Sequence, residues 1–102
     1  MKNPAAKAVT IINHPDVRKK LMWMKSHVEG IRALAYFGAY CMDMSKIAKT
    51  EAESATWEGY LELLTPIIKS YSTDKGLLIC SLAMDVYGGY GYCSEYPVEQ
   101  FL

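Results

Sequence analysis

The sequence predicts an all-α fold whose central unit is a pair of long helices, and three observations carry that reading. Residues 16–49 contain no proline and repeat apolar side chains at helical spacing, residues 57–87 repeat apolar side chains at the same spacing around Pro66, and the chain shows neither strand-like alternation nor an internal repeat.

The first helix is expected over residues 15–49. Asn13 or His14 can cap it, Pro15 suits its first position because a proline N–H would be unpaired there anyway, and Asp16 favours the positive end of the helix dipole. Val17, Leu21, Met24, Val28, Ile31, Ala35, Gly38 and Met42 step alternately by four and three, which makes a regular apolar seam. Such a helix is about 52 Å long at ~1.5 Å per residue. A compact domain of this size has a radius of gyration of only about 13 Å. The fold should therefore be elongated or completed by further protein.

Residues 50–56 are small and polar and read as the connection. A kinked helix is expected over 57–87, with Trp57, Leu61, Leu64, Ile68, Tyr71, Leu78 and Leu82 on one face and Lys75 interrupting it. Pro66 should kink or restart this helix, with Thr65 as the new cap. Residues 88–94 read as a glycine-rich turn, and residues 95–102, with Pro97 near their start, as the opening of a third helix.

The composition fits one domain: 102 residues, 51% hydrophobic and 22% charged, too apolar for a disordered tail. A net charge of +0 gives no electrostatic footprint for nucleic acid or an anionic membrane. The balance conceals an asymmetry: residues 1–50 carry nine basic and three acidic side chains, residues 51–102 two basic and eight acidic, so the halves are +6 and −6. Halves of opposite sign suit packing on each other or on copies of each other. Three cysteines, Cys41, Cys80 and Cys93, form no CxxC and cannot all pair within one chain. With no leader-like apolar segment and no stretch near the ~20 apolar residues that span a bilayer, the expected setting is cytoplasmic.

Gly88, Gly89 and Gly91 form the sharpest local feature. They could bring backbone close to a phosphate, or cap the second helix and turn the chain, and composition favours the cap. It is no dinucleotide fingerprint, since no strand precedes it. His14 and His27 have no ligand-spaced companions, so no metal site is expected. Glu95 and Glu99 read as a solvated first turn, not an acid–base pair, and no Ser or Cys nucleophile has a visible His partner. The methionines Met22, Met24, Met42 and Met44 around Trp23 suit either an adaptable binding surface or ordinary helix packing.

Four blocks taken together are more specific: His14-Pro15-Asp16-Val17-Arg18; Lys25-Ser26-His27-Val28-Glu29-Gly30-Ile31-Arg32; Leu63-Leu64-Thr65-Pro66-Ile67-Ile68-Lys69; and Gly88-Gly89-Tyr90-Gly91-Tyr92 followed by Glu95-Tyr96-Pro97-Val98-Glu99-Gln100. In this order and spacing the chain resembles the carboxy-terminal helical domain of the acyl-CoA dehydrogenases, and within them the branch containing methylmercaptopropionyl-CoA dehydrogenase. The resemblance implies an incomplete up-and-down four-helix bundle, FAD as cofactor, an acyl-CoA substrate, an electron-transferring flavoprotein as acceptor, and a homodimer or homotetramer with these bundles at its core. It also implies that Asp85, Val86, Tyr87, Gly88 and Gly89 approach the ADP part of an FAD held mainly by a neighbouring subunit. The family usually has Gln at the position of Asp85 and often His at that of Tyr87. An anionic Asp would repel a pyrophosphate, so either Asp85 points away or flavin binding is weakened or lost. The segment bearing the family's catalytic glutamate lies beyond Leu102, which leaves no residue here assigned as the base. The bare chain reads as an inactive fragment of the enzyme; the alternative is a stand-alone helical oligomerisation or interaction module without redox activity.

Overall fold

The computed structural model describes residues 7–102 as two long helices and three short 3-10 turns, with no strand among the described residues. Residues 1–6, which the single-domain expectation includes and in which no leader is expected, lie outside the described residues.

Helix α1 spans Pro15–Ile47. Pro15 opens it as the sequence predicts, but neither candidate cap acts through its side chain. His14 holds the cap position with extended backbone, and Asn13 instead donates from Nδ2 to Thr10 Oγ1 at 2.9 Å within the 3-10 turn Ile11–Asn13.

Helix α2 spans Glu51–Tyr87, so only residues 48–50 connect the two, and the expected connection over 50–56 is corrected to helix from Glu51 on. The cause is a capping arrangement. Thr50 Oγ1 accepts from the Glu53 N–H at 3.2 Å, and the Glu53 carboxylate accepts from the Lys49 N–H at 3.2 Å, which satisfies two donors at the helix start. Three linking residues force the helices antiparallel. The Ser54 hydroxyl then donates to the Ser45 carbonyl at 2.9 Å and fastens the hairpin at its turn.

Pro66 does not restart α2, and Thr65 is no new cap: its hydroxyl donates back to the Leu61 carbonyl at 2.7 Å inside a continuous helix. Tyr87 is the last helical residue because Gly88 takes φ +59, ψ −135, a conformation reserved for glycine. Gly88–Tyr92 and Pro97–Phe101 are 3-10 turns, so the expected α-helical start at 95–102 is instead one tight turn beginning at Pro97.

The seam between the helices differs from the expected one in an instructive way. On α1, Leu21, Met24, Ile31 and Gly38 face α2 as expected, but His27, Leu34 and Cys41 pack inward where Val28, Ala35 and Met42 were expected; the latter three are exposed. On α2, Trp57, Leu61, Leu64 and Ile68 pack inward as expected, whereas Tyr71 and Leu78 are exposed and Ser72, Lys75 and Ile79 take the seam. The offset runs one residue early on α1, at His27, Leu34 and Cys41, and one residue late on α2, at Ser72 and Ile79.

The hairpin has very little core. Cys41 and Met84 are the buried apolar side chains, joined by Gly38 and Gly91. Its radius of gyration is 20.5 Å and its extents are 71 × 27 × 18 Å, the rod anticipated from helix length.

Candidate functional site

The residues singled out by sequence gather at the free end of the hairpin, where α2 stops against the start of α1. Asp85, Val86 and Tyr87 form the last turn of α2, and Gly88 and Gly89 open the 3-10 turn that follows. The Gly88 N–H donates back to the carbonyls of Met84 and Asp85, which closes the helix end.

Each glycine of this turn does something different. Gly88 supplies the positive φ. Gly91 is buried, and a Cβ there would stand 2.9 Å from the Met84 carbonyl oxygen and 3.2 Å from Met84 Cα, so its lack of a side chain lets the turn fold flat on its own helix. A Cβ on Gly89 would meet nothing within 4 Å. The cap-and-turn reading accounts for Gly88 and Gly91, while Gly89 is the glycine left with open space before it.

Asp85 is exposed, and its carboxylate lies 3.9 Å from Lys20 Nζ, which also pairs with Asp16 at 3.4 Å. The negative charge at the turn is therefore partly offset by a cation from α1. Tyr87, Tyr90 and Tyr96 form an aromatic group with ring centroids 5.9 Å (Tyr87 to Tyr96) and 5.4 Å (Tyr90 to Tyr96) apart. Together with Ile11, Leu21 and Val86 they line an open cleft of about 470 Å³. Lys20, Tyr90, Tyr96 and Ile11 are not among the site residues the sequence points to, although Tyr90 and Tyr96 fall within the fourth block. The tyrosine spacing around the glycines was the available signal for two of them; Lys20 and Ile11 are brought in only by the antiparallel pairing.

This arrangement offers backbone approach at Gly89, a cation and an apolar aromatic cleft. Lys20 lines a separate cleft with Asp16, Lys19, Trp23 and Leu82, so the cation and the tyrosines face different spaces. Glu95 and Glu99 are exposed and Glu95 precedes the last 3-10 turn, so they share no α-helical turn. Among the described residues no three His, Cys, Asp or Glu side chains converge as a metal site, and no helix is long and apolar enough to cross a membrane.

The whole chain, residues 1–102, matches the family model described as acyl-CoA dehydrogenase, C-terminal domain. Among curated proteins it is similar to a butyryl-CoA dehydrogenase of Syntrophomonas wolfei, 42% identical over 94 residues, covering 92% of this chain and 15% of that protein. It is also similar to the 3-methylmercaptopropionyl-CoA dehydrogenase of Ruegeria pomeroyi, 36% identical over 97 residues, covering 95% and 16%. A third relative is the caffeyl-CoA reductase-Etf complex subunit CarC of Acetobacterium woodii, 34% identical over 77 residues, covering 76% and 17%. The chain thus spans 15 to 17% of the length of these relatives. No solved structure matches it.

Proposed function

Because the chain belongs to the acyl-CoA dehydrogenase family, as its C-terminal domain, we propose that it serves as the helical assembly domain of an FAD-dependent enzyme that desaturates an acyl-CoA thioester between Cα and Cβ. In this reading it contributes the oligomer core, as a homodimer or homotetramer, and lays the backbone at residues 85–89 against an FAD held mainly by a neighbouring subunit. The observation that carries the reading is the turn itself: it follows directly on the last turn of α2, and a Cβ at Gly89 would meet nothing within 4 Å.

FAD supplies the hydride acceptor for such a reaction. The residues described here do the holding. Gly88 and Gly91 fix the turn, Gly89 admits close approach, and Lys20 offsets Asp85 near a phosphate. In this reading no carboxylate among the described residues is assigned as the base that takes the α-proton. The 102-residue chain alone is therefore expected to be inactive. An electron-transferring flavoprotein is the proposed acceptor, which the CarC relationship supports, and the proposed location is the cytoplasm.

A second reading is favoured by one observation, the carboxylate of Asp85 beside the turn: a helical assembly module without redox activity. Purifying the polypeptide that carries these residues from its source cells separates the two. Bound flavin together with acyl-CoA-dependent reduction of an artificial acceptor is the expected result. A self-associated protein with neither would overturn the enzyme reading in favour of the module.

A further inference from the structure

Asp85 puts a carboxylate on the last turn of α2, beside the backbone that the reading above lays against FAD. A carboxylate there repels a phosphate and has no hydrogen to offer it. The structure shows to which side that charge is sent. Asp85 and Tyr87 stand two positions apart on one helix, about 200° around its axis, so they project to opposite sides.

The clefts at this end of the hairpin follow the same division. Val86 and Tyr87 line the tyrosine cleft together with Leu21. Leu82, one turn before Asp85, lines the other cleft with Asp16, Lys19, Lys20 and Trp23. Lys20 and Leu21 thus divide on α1 as Asp85 and Tyr87 divide on α2. The Asp85 carboxylate lies on the lysine side, 3.9 Å from Lys20 Nζ.

Lys20 is the better fixed member of this pair. Its side chain is 29% exposed against 57% for Asp85, and Asp16, one turn earlier on the same helix, holds its ammonium at 3.4 Å. With Lys19 in the same cleft, two cations face two carboxylates on this side. An exposed pair of this length adds little as a brace between the helices. Its consequence is the side on which the carboxylate stands.

We propose that Lys20 is a positioning residue of the cofactor turn: it draws the Asp85 carboxylate to the Trp23 side of α2, so that the Gly88-Gly89 backbone can receive the pyrophosphate of FAD. The proposal rests on the flavin reading given above and names the residue that lets an aspartate stand at this position. Lys20 acts through Asp85 and not on the phosphate.

Equilibrium FAD titration of the full polypeptide that carries these residues, stripped of flavin and followed by flavin fluorescence, tests it. Lys20→Met should weaken FAD binding by about three- to tenfold. Asp85→Asn should bind at least as tightly as the wild type, and in that background Lys20→Met should change affinity by less than about twofold. Lys20→Arg keeps the cation and should keep the wild-type affinity. A loss of hairpin stability alone would not be rescued by Asp85→Asn, and melts of the flavin-free variants check that directly.

Equal weakening by Lys20→Met in both backgrounds overturns the proposal, because Lys20 would then meet the phosphate itself. No effect in either background overturns it too, and in both cases the flavin reading stands. A wild type that takes up no FAD while Asp85→Asn does so also overturns it, since Lys20 then fails to turn the charge aside. Absence of binding in both proteins overturns the flavin reading and this proposal with it.

Discussion

At the scale of single residues, the glycines of the terminal turn make separable predictions. Gly91→Ala places a methyl group 2.9 Å from a backbone oxygen that cannot rotate away. It should destabilise the chain by about 1–3 kcal/mol, read as a lower melting temperature. Gly88→Ala must hold φ +59 with a side chain and should cost about 1–2 kcal/mol by the same measurement. Gly89→Ala meets nothing, so its melt should match the wild type. A drop in flavin content with the melt unchanged would mark Gly89 as a contact and not a fold residue. The glycine cluster was legible in the sequence as a cap. Which glycine did which job was not, because that depends on the path of the turn back over Met84.

The charge pattern on α1 gives a pH prediction at the same scale. Glu29 is held below the usual glutamate range, first by the hydrogen bond from Lys25 at 3.1 Å and then by the charges of Lys25 and Arg32. A carboxyl depressed in the folded state adds stability that is fully present above its unfolded pKa and lost as pH falls through its folded value. The site is exposed, so the effect is small and screened. Glu29→Gln should flatten the acid limb of a melting-temperature profile below the ordinary glutamate range. At about 0.5 M salt the difference from wild type should vanish.

At the scale of elements, the start of α2 and the proline inside it are the informative points. Thr50→Ala removes the acceptor for the Glu53 N–H and should cost about 0.5–2 kcal/mol. The pattern Thr50-x-x-Glu53 was present in the sequence, but small polar side chains over 50–56 look equally like a loop; the reciprocal bonds decide in favour of helix. Pro66 sits where an interior helix residue should donate a backbone hydrogen bond. Pro66→Ala should raise the stability of the chain by up to about 3 kcal/mol, seen in the same melts. The helices themselves were legible from apolar spacing. Their inward face was legible only in part, since Val28, Ala35 and Met42 are as apolar as the residues that pack, and only the rotation of one helix against the other chooses between adjacent lines. The exposed line they form is a direct result of that choice.

At the scale of the molecule, opposite charge on the two halves does not work as a zipper. The ion pair linking the helices among the described residues is Lys20 with Asp85 at 3.9 Å, and the other pairs lie within α1. What the hairpin lacks is covered apolar surface, and its shape makes the mode of association measurable by small-angle scattering. One chain is already 71 Å long and 18 Å thin. Face-to-face pairing adds a layer across the thin direction, so mass should double while the maximum dimension stays near 71 Å and the cross-section thickens. Association through the terminal tyrosine cleft would instead extend the long axis, because that cleft lies at the end of the rod. An unchanged maximum dimension at doubled mass is thus the expected outcome. A doubled mass with a markedly longer particle would move the interface to the Tyr87, Tyr90 and Tyr96 end and place assembly in competition with any ligand at Gly89.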